Sequence, residues 1–337
     1  MEDIIKMPDI ISAGNAGYNV YTFSWELIDV CQYNCTYCSS MHFNIKTYQN
    51  IKGYENKWKD VIKLLSMPTI RNEFVVEILG GEPTLHPHIH EIISSLCSIK
   101  KNRRVELVTN LAKPLSFYKQ FDVIQNNKLS VEVSYHPEYY TEQWKQNVID
   151  FCKSEYITVT PNVNLPDDKK WWEQTKEFLD SLIRHNIHTG LNFLQQVEPG
   201  PQGEWSPNYT DEFWDYFDEY FHRDMTAIKT EVGFSNIKSD PGVCDGPMLK
   251  NVVYTTSDDK QHTLSEVEIN RYDLRQFKGW TCKPLMYIID MNGVVTNHCT
   301  GDIITPVKMS DRHLSACRTC PLDRCNCDTK FLYEKWK

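Results

Sequence analysis

Cys31-Gln-Tyr-Asn-Cys35-Thr-Tyr-Cys38 sets three cysteines three and then two residues apart, directly after Thr22-Phe-Ser-Trp-Glu-Leu-Ile-Asp-Val30. The preceding run alternates apolar residues at Phe23, Trp25 and Leu27 and reads as a β-strand. Three thiolates delivered by one short loop at a strand end can hold three irons of a cubane cluster and leave the fourth iron without a protein ligand. An open iron is a place for a substrate or cofactor to bind, which a purely structural or electron-transfer cluster does not need. The competing reading is a zinc site with His42 as fourth ligand. Four-ligand zinc sites more usually pair two CxxC-like halves across a longer loop, and no second half follows here.

Outward from this loop, strands alternate with helices. Trp58, Val61, Ile62 and Leu65 recur at helical spacing, and a buried strand over 74–79 runs into Gly80-Gly-Glu-Pro83. Ile89, Ile92, Ile93 and Leu96 mark the next helix. The unit repeats: a strand over 105–108 into Thr109-Asn110, a helix over 115–124, and a strand over 129–133 into Ser134-Tyr-His136-Pro137. A helix with Trp144, Val148 and Phe151 follows, then a strand over 157–159, a helix with Phe178, Leu179, Leu182 and Ile183, and a strand over 189–193. This order predicts an α/β fold with a parallel sheet covered by helices. Six such strands predict a partial (β/α)6 TIM-like barrel over residues 1–200. Parallel barrels place their chemistry at the C-terminal strand ends, where the cysteines, Gly-Gly-Glu, Thr-Asn and Ser-Tyr-His all fall. Glu198-Pro-Gly-Pro-Gln-Gly203 breaks the pattern. A connecting helical and irregular region is expected over 201–280, with Phe213, Trp214, Phe217 and Phe221 on one helix face. Short strands or a hairpin are expected at Asn251-Val-Val-Tyr-Thr and over 264–269, and a small cysteine-rich domain over 281–337.

Glycines such as Gly80 and Gly81 let backbone groups approach a ligand closely. The Glu82 carboxylate, or neighbouring backbone carbonyls, can accept hydrogen bonds from an ammonium. With Tyr37-Cys38 closing the cysteine loop on an aromatic, and this second loop one βα unit later, the chain resembles the radical S-adenosylmethionine (SAM) enzymes. The resemblance spans roughly residues 20–200 and 280–330. It implies a [4Fe–4S] cluster on Cys31, Cys35 and Cys38, with SAM chelating the open iron. It further implies that Tyr37 and Gly80-Gly81-Glu82-Pro83 bind SAM, the latter loop at the methionine amino group. Asn110 and Ser134 match positions near the SAM ribose and carboxylate, with strand-end capping as the alternative. One electron from a flavodoxin- or ferredoxin-type donor would then cleave SAM to methionine and a 5′-deoxyadenosyl radical, which abstracts a substrate hydrogen. His136 either approaches substrate or satisfies backbone groups beside Pro137.

Six more cysteines close the chain: Cys282, Cys299, Cys317, Cys320, Cys325 and Cys327. Their spacing, with Gly293 between the first two, resembles the SPASM and shorter twitch extensions of radical SAM enzymes, which carry auxiliary iron–sulfur clusters. A hairpin turning at Asn292-Gly293 is expected to bring Cys282 and Cys299 together. Spacings after Cys320 are compressed against the SPASM pattern and a seventh cysteine is lacking. One auxiliary [4Fe–4S] cluster on Cys282, Cys299, Cys317 and Cys320 is the simplest expectation, leaving Cys325 and Cys327 over. Two incompletely ligated clusters, with Cys327 joining Cys282 and Cys299, are the alternative, and a zinc knot is the third reading. Cys97 and Cys152 lie on amphipathic helices as small core residues. Cys244, in a breaker-rich loop, is a candidate hydrogen donor or further cluster ligand, with an ordinary loop thiol as the equal alternative.

Twelve cysteines in 337 residues without an export signal favour metal ligation in a reducing cytoplasm over disulfides. No apolar run reaches the roughly 18 residues a membrane helix needs. A formal charge of -9 argues against a phosphate-tracking surface, hence against a nucleic-acid substrate. The compact size and the lack of room for a leader-peptide-binding domain before residue 20 lean towards oxidation or rearrangement of a small molecule. A peptide or protein substrate is the near rival, and a non-enzymatic iron–sulfur or zinc module the more distant one.

Overall fold

The computed structural model describes residues 6–14, 20–38, 55–124, 128–155, 157–194, 209–230, 252–264, 269, 272–321, 325 and 334–337. The expectations for Cys244, Cys327 and His42 fall outside these residues. Two sheets organise the chain. The strands are β1 (Ile10–Ala13), β2 (Tyr21–Ile28), β3 (Phe74–Gly80), β4 (Asn102–Thr109), β5 (Leu129–Tyr135), β6 (Thr158–Leu165) and β7 (Gly190–Phe193). They continue as β8 (Val252–Thr256), β9 (Gln261–Leu264), β10 (Thr281–Cys282), β11 (Met286–Ile289), β12 (Val295–Asn297), β13 (Ile303–Ile304), β14 (Arg318–Thr319) and β15 (Lys335–Trp336). Helices α1 (Trp58–Leu65), α2 (Ile89–Ser98), α3 (Leu115–Tyr118), α4 (Glu142–Phe151), α5 (Trp172–Arg184), α6 (Asp211–Thr230) and α7 (Asp311–Leu314) complete the set.

β2 to β7 lie in sequence order and pair in parallel, as six βα units require. One face carries Phe23, Trp25, Val76, Ile78, Val105, Leu107, Val131, Val133, Val163 and Leu165, all buried in one core with Ile89, Ile92, Leu96, Phe178 and Leu182 of the helices. Each such side chain contributes about 1.5–3 kcal/mol by leaving water. β6 extends past the expected end at residue 159, through Pro161, because Val163 and Leu165 beyond it still alternate onto the buried face. The expected helix over 115–124 is instead the short α3 followed by a 3-10 turn at Lys119–Val123.

Opposite this core the sheet is polar. Parallel register aligns Ser24, Glu77, Glu106 and Ser130 across four strands, then Glu132 with Thr160, and Ser134 with Asn162 nearer the C-terminal edge. Closed barrels fill this inner face with branched apolar residues; the open barrel here does not.

The hairpin of β11 and β12 turns at Asn292-Gly293, as expected, with Gly293 at φ +79°. Its first strand pairs in parallel with β2, so the barrel sheet grows to nine strands in the order β13-β12-β11-β2-β3-β4-β5-β6-β7. The second sheet runs β14-β10-β15-β1-β8-β9 and draws strands from both ends of the chain. Ile10, Val252, Tyr254, Leu274, Phe277, Trp280, Cys320 and Cys325 form its core. β8 and β9 form a hairpin that includes the strand expected at Asn251-Val-Val-Tyr-Thr; the second strand expected over 264–269 meets β9 only at Leu264, and residues 265–268 lie outside the described residues. No helix among the described residues is long and apolar enough to cross a membrane.

Candidate functional site

The three cysteines follow β2, and the Gly-Gly-Glu loop follows its neighbour β3. The two loops are joined by backbone bonds: Gly81 N–H donates to Ile28 O and Glu82 N–H to Val30 O, both at 2.7 Å. A Cβ on Gly80 would lie 2.2 Å from Ile28 O, and one on Gly81 2.2 Å from Val30 O. The glycines therefore let the second loop seat against the base of the cysteine loop, a use the sequence did not reveal.

Glu82 is buried, and its carboxylate accepts from Thr84 N (3.1 Å), Thr84 Oγ1 (2.5 Å), Thr109 Oγ1 (2.8 Å) and Asn110 N (2.8 Å). Burial raises its pKa and these donors oppose the rise. The side chain thus ties β3 to β4, and backbone carbonyls of its loop are the acceptors left for an ammonium. Pro83 is buried at the start of the 3-10 turn that Glu82 caps.

Asn110 sits at the centre of the site. Its Oδ1 accepts from Gln32 Nε2 (2.8 Å) and Ala112 N (3.1 Å), and its Nδ2 reaches Cys31 Sγ at 3.7 Å. Its carbonyl accepts from Trp144 Nε1 at 2.9 Å. The next residue, Leu111, is buried in the left-handed region at φ +55°, a local strain of the kind that clusters at functional sites. Gln32 Oε1 is buried and meets no hydrogen-bond partner among the described residues.

The loop after β5 completes the rim. Tyr37 Oη meets His136 Nδ1 at 2.9 Å, and Cys35 Sγ lies 3.4 Å from the same nitrogen. Burial lowers the His136 pKa to about 4, so the ring is neutral near pH 7. Asn34 N–H donates to Tyr139 Oη (2.6 Å), and Thr36 donates to Glu138 through its amide and its hydroxyl. Glu138, Tyr139, Gln32 and Trp144 are site neighbours that sequence reading missed; only the fold joins β2, β4, β5 and α4 here. Ser134 stands in register with Asn162 on the polar face.

Burial pushes the Cys31 thiol up to about 11 and Cys35 to about 12, so each must release a proton to ligate metal. Among the described residues no three His, Cys, Asp or Glu side chains converge on one metal ion.

At the other cysteine group, Cys282 is the register partner of Arg318 in β14 and of Lys335 in β15. Cys320 N–H donates to Trp280 O (2.7 Å) and Cys325 N–H to Arg275 O (2.9 Å). Burial raises Cys282 to about 11; Lys335 opposes this, while Cys325, Cys320 and Cys317 add to it. These four sulfurs share one electrostatic neighbourhood with two buried cations, Lys335 and Arg275, the latter reaching Cys325 O at 3.4 Å. Cys325 joins this group, beyond the simplest expectation. Cys299 stands on the turn after β12, its N–H on Asn297 Oδ1 at 3.0 Å. Cys97 is buried and Cys152 partly buried on the outer helices, as core residues.

A family model described as the radical SAM superfamily matches residues 25–193, half of the chain. The chain belongs to the radical SAM superfamily, and it is an enzyme. SuiB of Streptococcus suis is similar in fold at 15% identity and a TM-score of 0.52, over 84% of this chain and 61% of that one. The S-adenosylmethionine-bound SuiB structure aligns over 63% of this chain and 46% of that one, at 15% identity and a TM-score of 0.45. BtrN in an open conformation gives 0.28 at 12% identity, over 43% and 57% of the two chains. The chain thus spans between about half and three-fifths of the length of these structures. No curated protein matches it.

Membership implies SAM and a [4Fe–4S] cluster, and the residues present fit both. Three thiols come from one loop, and a cubane spreads them over separate irons rather than one ion. Beside them stand an unpartnered Gln32 oxygen and backbone-lined glycines.

Proposed function

We propose that this enzyme reductively cleaves SAM to methionine and a 5′-deoxyadenosyl radical that abstracts hydrogen from a small polar molecule, leading to oxidation or rearrangement. One observation carries the chemistry: Cys31, Cys35, Cys38, the Gly80–Pro83 loop, Asn110 and Ser134 meet along one C-terminal sheet edge through named hydrogen bonds and strand register. When bound, the cluster supplies the electron that breaks the SAM carbon–sulfur bond. Cys31, Cys35 and Cys38 hold it. Backbone carbonyls of the Gly80–Pro83 loop would receive the SAM ammonium, Gln32 and Asn110 would offer side-chain amides, and Tyr37, held by His136, would close the cysteine loop.

The small-molecule reading rests on the polar inner face of the barrel. Asn162 Oδ1, in register with Ser134 near the C-terminal edge, is buried there without a hydrogen-bond partner among the described residues, and buried polar groups cost free energy until satisfied. A polyhydroxyl or amine-bearing molecule supplies such partners. Cys282, Cys317, Cys320 and Cys325 are the favoured auxiliary ligand set, since the buried Cys282, Cys320 and Cys325 and the exposed Cys317 lie in one electrostatic neighbourhood, in which Lys335 favours the Cys282 thiolate. A flavodoxin- or ferredoxin-type protein is the proposed electron donor, in a reducing cytoplasm.

The test is 5′-deoxyadenosine release by anaerobically reconstituted protein with SAM and dithionite, supplemented with small-molecule or macromolecular fractions of host extract. Stimulation by the small fraction, abolished by Cys31→Ala, supports the reading. Stimulation by the heavy fraction alone would replace it with peptide or protein modification. No release from iron-replete protein would sink the SAM-cleavage reading.

A further inference from the structure

The segment His136-Pro137-Glu138-Tyr139 is only a strand end in the chemistry above, yet it gathers the polar groups of the cysteine loop. That loop has no strand or helix to pair its amides, so its order depends on the side chains that reach it. Tyr139 Oη takes the Asn34 N–H at 2.6 Å. Both Glu138 carboxylate oxygens take the Thr36 N–H at 3.3 Å, and Oε1 also takes the Thr36 hydroxyl. The Tyr33 ring stacks on Tyr139 at 4.0 Å with planes 3° apart and meets His136 edge-on at 5.6 Å. His136 Nδ1 holds Tyr37 Oη at 2.9 Å. Every residue from Tyr33 to Tyr37 therefore touches this one segment, a 3-10 turn at Pro137–Tyr139 entered from β5.

We propose that His136-Pro137-Glu138-Tyr139 is a clamp that positions the cluster-bearing loop, and that Glu138 also makes the cluster harder to reduce by setting a negative charge beside Cys35. The second half rests on the reading that this loop carries the SAM-cleaving cluster. Reduction adds one negative charge to whatever the three cysteines hold, and a nearby carboxylate opposes it by Coulomb repulsion. The carboxylate is held on the amide and hydroxyl of Thr36, the residue between Cys35 and Tyr37. Glu138 is half-buried, so solvent weakens the effect without abolishing it. The outcome is a cluster reduced reluctantly and strongly reducing once reduced.

Full-length protein is reconstituted with iron and sulfide as wild type, Glu138→Gln, Glu138→Ala and Tyr139→Phe. Iron retention against a chelator is measured, and the cluster is titrated by electron paramagnetic resonance, the relevant signal being the one that SAM perturbs. Glu138→Gln keeps the side-chain shape and an acceptor but removes the charge. It should hold its iron and raise the reduced-to-oxidised ratio at fixed potential by roughly three- to tenfold, tenfold being about 59 mV for one electron. Tyr139→Phe keeps the stack but removes the hydroxyl that tethers the Asn34 amide, and should lose iron several times faster with the midpoint unchanged. Glu138→Ala should show both changes. An unshifted midpoint in Glu138→Gln overturns the electrostatic half, and wild-type iron retention in Tyr139→Phe overturns the clamp. Should Glu138→Ala fail to fold, the other two variants still decide. A wild-type cluster whose signal ignores SAM overturns the parent reading, independently of how the variants retain iron.

Discussion

Gly81→Ala gives the sharpest test of how the site is assembled. A Cβ at Gly81 would meet Val30 O at 2.2 Å, Val30 C at 2.4 Å and Val30 N at 2.9 Å, all backbone atoms that cannot swing aside. Relief needs roughly 1 Å of separation between the two loops, which breaks Gly81 N–H to Ile28 O and Glu82 N–H to Val30 O, each 2.7 Å long. Overpacking costs about 1–3 kcal/mol, and each broken buried bond about 0.5–1.5 kcal/mol more. The sum is about 2–6 kcal/mol, or between one and four orders of magnitude in the population with a formed site. Gly279→Ala is the control: its φ is positive, at +82°, unlike that of Gly81, but a Cβ there meets nothing within 4 Å. It should cost only the left-handed backbone penalty of about 1 kcal/mol. Urea unfolding and iron content per chain measure both variants. A Gly81→Ala protein as stable and as iron-replete as Gly279→Ala would refute the close-approach argument.

Three further outcomes follow from the same contacts. Glu82→Gln has one acceptor oxygen for donors that now use two, so it should lose about 1–3 kcal/mol and bind SAM more weakly, read by urea unfolding and equilibrium dialysis. His86 is buried with its pKa lowered to about 4 from 6.5. The unfolded chain then binds more protons between those values, so the His86 contribution is full above pH 6.5 and declines as pH falls towards 4. The loss is at most roughly 3 kcal/mol, visible as the difference between wild-type and His86→Gln stability curves. Alanine at Cys282, Cys317, Cys320 or Cys325 should each lower bound iron by a similar amount, whereas Cys97→Ala should leave it unchanged; unequal losses would break up the proposed set.

The alternation of Phe23, Trp25 and Leu27 and the helical spacing of Ile89, Ile92, Ile93 and Leu96 made the barrel legible, because period and burial are local properties of a chain. The cysteine triad and Gly80–Pro83 were legible for the same reason: each is a short run at the end of a strand. Glu138 and Tyr139 were not, since they touch residues about a hundred positions earlier, and nothing local distinguishes them from other polar loop residues. For Glu82 the sequence left open whether the carboxylate or the neighbouring backbone carbonyls would meet an ammonium; in the structure the carboxylate joins the loop after β3 to the end of β4.

The sequence by itself determined the class of fold, and it showed the cysteine triad and the Gly80–Pro83 loop as short runs at the ends of successive strands. Tertiary structure alone decided that the Met286–Ile289 strand enlarges the barrel sheet, and that Cys282, Cys317, Cys320 and Cys325 share one neighbourhood with Lys335. It also decided that β1 and β15, from opposite ends of the chain, pair in one sheet. Strand pairing and charge proximity depend on distance in space, and for segments this far apart the chain encodes that distance only through the packing of everything between them.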